Sequence, residues 1–206
     1  MKRTTTRRKR EIKSFCAENR RLFPFVGLFL VGAALGVAVY LTLRDTGGVP
    51  DALLRVPPVT GGAAELFRAF GSRLFSAVLL LGGLYLLGLW ACGAPAIFLF
   101  PLLYGLGLGL TEAHYYAMGR AGILAVAAVV LPYSLLMAAI LVTAAAESLR
   151  LSASLSRQLL PGSDRGEGLW PGFRLYTLRY LLLLATAVTV SGLDVLLRRL
   201  LGSLLP

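Results

Sequence analysis

The chain has 206 residues, of which 57% are hydrophobic and 15% charged, with a mean hydropathy of +0.74. Soluble domains average roughly 45–50% and 25%, so an ordinary soluble domain is excluded and an all-α, polytopic helical membrane protein is expected. The formal charge is +11, from 21 Lys and Arg against 10 Asp and Glu, but the basic residues lie in tails and loops, where they orient helices; nucleic acid is not an expected partner. The apolar residues come in continuous runs rather than in alternating segments of roughly 10, which argues against a transmembrane β-barrel. The two cysteines, Cys16 and Cys92, are far apart and fall on the expected cytoplasmic side, where they read as free thiols.

Residues 1–21 carry nine Lys or Arg and two Glu, which makes a basic cytoplasmic tail. Such a tail acts as a topology signal, and it can also lie on anionic membrane lipids at about 1 kcal/mol per basic residue. A first span is expected over 23–43, an uncleaved anchor because no small-residue cleavage site follows it. Gly32 and Gly36 form a small-xxx-small pair suited to close helix packing. Residues 44–73 make an outer loop, with Pro57 and Pro58 before the amphipathic segment GGAAELFRAFGSRLF. There Leu66, Phe67, Phe70 and Leu74 share a broad face while Glu65, Arg68 and Arg73 stay wet, as in a helix lying at the membrane interface. Glu65, Phe67, Arg68, Phe70 and Arg73 are the candidate partner surface.

The second span, 74–90, ends on Trp90 at the interface. A tight turn from Ala91 to Pro95 leads into the third, 94–110, where Gly105 and Gly109 repeat the small-xxx-small spacing. No lysine follows GLGLGL and no strand precedes it, so it is not a nucleotide loop. The polar corner Thr111 to Gly122 holds Glu112, the single histidine His114, Tyr115, Tyr116 and Arg120. The fourth span, 123–146, contains Pro132, which removes the bond to the Ala128 carbonyl and predicts a kink. Leu149, Leu155, Leu159 and Leu160 then suggest a helix on the cytoplasmic surface, within an inner loop of 147–177. A fifth span covers 178–197, with Asp194, Arg198 and Arg199 marking its outer exit. Five spans with the N-terminus in the cytoplasm leave fourteen basic residues inside and seven outside, in keeping with the positive-inside rule.

No span carries a charge near its centre, and one His with two distant Cys supplies neither a hydrolytic triad nor a metal set. Catalytic residues, metals and cofactors are therefore not expected. The alternative with some chemistry is a small transporter or permease subunit, in which Glu112 and His114 relay a proton at the mouth of the third span and the kink at Pro132, beside Tyr133 and Ser134, opens a path.

The order of features resembles the stage II sporulation protein M family over nearly the whole chain: Gly32 with Gly36, the Ala91 to Ala96 turn, GLGLGL, and Leu131-Pro132 opening an apolar helix that runs into Arg150. Many members place histidine and glycine directly after that proline and glutamate four residues beyond the histidine; this chain has Tyr133, Ser134 and Met137 instead. An ionic pair at i and i+4 is thus missing from that site. The resemblance implies a non-enzymatic, multi-pass scaffold of the engulfment machinery in the mother-cell membrane at the sporulation septum. It also implies assembly with the stage II sporulation D and P proteins, which remodel septal peptidoglycan.

Overall fold

The computed structural model describes residues 21–44, 54, 56, 57, 59, 61–158 and 169–201. The basic tail with Cys16, most of the first connection, and Leu159, Leu160 and Arg165 lie outside the described residues. The rest is helical: α1 (Phe23–Arg44), α2 (Ala63–Gly88), α3 (Ala94–Ala117), the short α4 (Arg120–Ala125), a π-helical turn (Val126–Val130), α5 (Leu131–Gln158) and α6 (Leu169–Leu201). No strand occurs among the described residues. Five of these helical stretches are long and apolar enough to cross a membrane, the fourth being α4, the π turn and α5 taken together. The 22 residues of α1 alone rise about 33 Å at 1.5 Å each, against a hydrocarbon core of roughly 30 Å. The class is therefore that of a helical multi-pass membrane protein.

Helix α5 is the centre, packing against α1, α2, α3 and α6, while α1 rests almost wholly on α3. Contacts between α1 and α3 advance in step, from Gly32 against Leu102 to Gly36 against Leu106 to Tyr40 against His114, so the two run parallel. One end of the bundle, here the near end, holds the start of α1 and the end of α2; the far end holds the end of α1 and the start of α2. Phe25, Leu84, Ile97, Met137 and Leu141 are buried between the helices, whereas Leu30, Leu79, Leu86, Leu181 and Leu182 point outward, as lipid-facing side chains do.

The α1–α3 seam explains the glycine spacing. A Cβ on Gly32 would lie 2.1 Å from the Leu102 carbonyl oxygen, and one on Gly36 2.2 Å from that of Leu106. Reciprocally, a Cβ on Gly105 would meet the Phe29 oxygen at 2.1 Å and one on Gly109 the Ala33 oxygen at 2.0 Å. Each helix thus lays glycine Cα–H groups against the carbonyls of the other. Lipid tails are as apolar as leucine, so contact and weak Cα–H···O bonding rather than hydrophobic expulsion hold this pair.

Several expected boundaries are corrected. The amphipathic segment is not a separate interfacial helix, because 63–73 forms the first turns of the continuous α2. Helix α3 runs seven residues past Leu110 into the polar corner and ends at Met118-Gly119, where Gly119 takes φ +77°, a conformation that favours glycine. Helix α5 does not stop at Ala146 to lie on the surface but continues to Gln158, and α6 is helical from Leu169, ahead of the expected start at Leu178. Just before Pro132 the backbone forms the π-helical turn Val126–Val130, in which the Leu131 N–H donates to the Val126 carbonyl in the widened i to i+5 pattern.

Candidate functional site

Two polar clusters are buried in the bundle, one toward each end, and neither is confined to one helix. At the near end Ser148, fully buried on α5, faces Tyr176 and Tyr180 of α6 and the backbone of α2. Tyr180 donates to the Ala144 carbonyl at 3.0 Å, and Tyr176 donates to the Tyr85 carbonyl, also at 3.0 Å. Ser148 has a single proton, and its acceptors are the Leu84 carbonyl of α2 at 2.9 Å and the Ala144 carbonyl one turn back on α5 at 3.0 Å. These bonds tie α6 to α5, α6 to α2 and α5 to α2. One and two turns further on, Ser152 donates to the Trp90 carbonyl at 2.7 Å and Ser156 lies 3.2 Å from that of Ala91. The turn after α2 is thereby held on α5, and Gly88 makes room, since a Cβ there would stand 2.2 Å from the Tyr176 hydroxyl. Glu147 of α5 pairs with Arg179 of α6 beside this network.

At the far end the cluster is ionic. Asp194 on α6 is 1% exposed and holds both Arg198, one turn on at 2.8 Å, and Arg73 of α2 at 3.2 Å, each through the same carboxylate oxygen, Oδ2. Arg73 also lies over the Tyr133 ring, 4.9 Å from its centroid, a cation–π contact joining α2 to α5. The same groups line a cavity of about 580 Å³ whose remaining walls include Leu80, Phe100, Tyr104, Gly107, Val129 and Met137. Its exposed lining residues are Ser76 of α2 and Leu103 and Gly107 of α3, so it opens between those two helices.

The candidate residues from the sequence separate under this geometry. Gly32, Gly36, Gly105 and Gly109 stand at the α1–α3 seam. Of the proposed partner surface, Glu65, Phe67 (75% exposed) and Arg68 point outward and Phe70 is half-buried. Arg73 is corrected: it does not stay wet but turns inward onto Asp194. Asp194 and Arg198, expected at the outer exit of the last span, are buried and paired there, so the bundle does hold buried charge. Tyr133 faces the cavity, but Glu112 and His114 do not line it. His114 is buried against α1, edge-on to Tyr40 and Tyr115, so Glu112, His114 and Tyr133 do not meet as a relay. Among the described residues no three His, Cys, Asp or Glu gather as a metal set, and Cys92 is an exposed free thiol.

The features that escaped the sequence are Asp194, Arg198 and the stripe Ser148, Ser152, Ser156. Both had a local sign, the i, i+4 acid–base pair and the fourfold repeat of serine, but neither spacing says what covers it. Compared with known proteins, the chain matches no family model, no curated protein and no solved structure.

Proposed function

We propose that this chain is a non-enzymatic membrane scaffold of the stage II sporulation protein M kind, which recruits and anchors septal peptidoglycan hydrolases during engulfment. In this proposal the N-terminus is cytoplasmic, the far end faces the outer side, and the protein sits in the mother-cell membrane of the septum. The observation that carries it is the seam of α1 and α3: the two glycine motifs on which the resemblance rests, Gly32 with Gly36 and GLGLGL, are opposite halves of one interface. Near-end hydroxyls join one helix to another, which is how a frame rather than a reaction centre uses polar groups. The exposed first turns of α2, with Glu65, Phe67 and Arg68, form the docking surface for the D and P proteins.

Affinity purification of the tagged protein from detergent-solubilised membranes of sporulating cells tests this. Mass spectrometry should find the peptidoglycan-cleaving D and P partners, and Arg68→Glu should lower their recovery several-fold while the scaffold's own level is unchanged. Intact, well-expressed protein that brings down neither partner would overturn the proposal. A small permease subunit is the second reading, favoured by the far-end cavity; it requires flux in liposomes, and loss of that flux when a lining residue is changed, as in Tyr133→Phe.

A further inference from the structure

We propose that the far-end cavity is a binding site for an anionic phospholipid, whose phosphate seats on Arg198 and Arg73 and whose acyl chains leave through the gap between α2 and α3. Among the described residues that line the cavity, two guanidiniums face a single carboxylate. Both approach the same oxygen of Asp194, and neither is aligned there as a hydrogen bond. Arg198 is 4% exposed, yet its Nε–H meets no acceptor among the described residues. A guanidinium carries five N–H donors, and a buried one without acceptors is costly, more so inside a membrane. A phosphate offers several acceptor oxygens in the geometry that arginine takes up in pairs of bonds.

The remaining walls select a lipid over a free anion. Beyond the charged corner the lining is mostly apolar, including Leu80, Phe100, Leu103, Leu108, Val129 and Met137, with the hydroxyls of Ser76, Tyr104, Thr111 and Tyr133 among them. A small hydrophilic ion would leave that apolar volume unfilled, whereas an acyl chain packs against it and continues into the bilayer at the exposed rim of Leu103 and Gly107. Gly107 has nothing within 4 Å of the place its Cβ would occupy, so the passage is open beside it. The inference holds whichever protein partner the chain recruits.

The test uses the purified full chain in neutral detergent, unfolded by heat in the presence of phosphatidylglycerol, phosphatidylcholine or inorganic phosphate, with bound lipid counted by native mass spectrometry. Phosphatidylglycerol should raise the unfolding midpoint saturably and remain bound as one molecule; phosphatidylcholine and inorganic phosphate should shift it far less. Arg198→Gln should weaken the apparent affinity by about tenfold or more, as expected when a charged hydrogen-bond donor is removed. Since that variant disturbs a buried ion pair, Gly107→Leu is the second: it fills space that is empty, should not lower the lipid-free midpoint because it removes a glycine from a helix interior, and should weaken phosphatidylglycerol binding comparably. An equal shift with phosphatidylcholine, a shift with inorganic phosphate matching the lipid's, or undiminished binding by Gly107→Leu would each overturn the proposal.

Discussion

The near and far ends of this bundle solve the same problem, how to bury polar side chains between helices, in opposite ways. Near-end hydroxyls are neutral and each of their three protons has a backbone carbonyl to reach, so the cluster is complete without a ligand. At the far end, among the described residues, two guanidiniums share one carboxylate, a donor is left over, and a cavity lies beside it. The first arrangement fixes helices to one another; the second keeps capacity for something further. A buried polar group is thus informative through its completeness more than through its presence.

The sharpest way to break this contrast is Asp194→Asn. It leaves two guanidiniums without their carboxylate, and removing one partner of a buried ion pair costs about 3–5 kcal/mol. Thermal unfolding in detergent should show that loss, and added phosphatidylglycerol should recover part of it by supplying the missing negative charge. If near-end variants gained as much from the same lipid, the two ends would not differ as described. A smaller effect is expected from Gly105→Ala, which drives a methyl into the Phe29 carbonyl oxygen. Overpacking of that kind costs about 1–3 kcal/mol, and because the seam runs the length of α1 it should weaken the bundle without any lipid dependence. Smallest is the near-end pair, Ser148→Ala and Tyr180→Phe. Interhelical hydrogen bonds in a membrane average roughly 0.6 kcal/mol, so each single change should be mild, and a double-mutant cycle should return a coupling of that order. A coupling near zero would mean that the hydroxyls do not act as one network.

Much of the frame was legible in the sequence. Five runs of sufficient length gave five helices, and the fourfold spacing of Gly32 with Gly36 and of Gly105 with Gly109 pointed to a close helix contact, because both signals are local. Boundaries were less legible. Hydropathy registers where apolar residues stop, not where backbone hydrogen bonding stops, so α3 was cut before Thr111 and α5 before Glu147, although both helices continue. The charged site was hidden for a different reason. Arg73 in an amphipathic turn and Asp194 near the end of a span each look like interfacial residues, and only the packing of α2 against α6 makes them partners. The same holds for Ser148, which is ordinary as a helix residue and distinctive only once Tyr176 and Tyr180 arrive from α6.

The π-helical turn before Pro132 has a consequence for how this chain tolerates insertion and deletion. One residue corresponds to roughly 100° around an α-helix, so the surplus residue in Val126–Val130 sets α5 out of phase with α4 by about that angle. On one side of the offset Ala125 and Val126 pack on Tyr115; on the other Tyr133 and Met137 face the cavity. Deleting a single residue from 126–130 would restore the regular phase and force a choice between those two alignments. A relative lacking that residue should therefore show compensating changes on one side of the offset or the other.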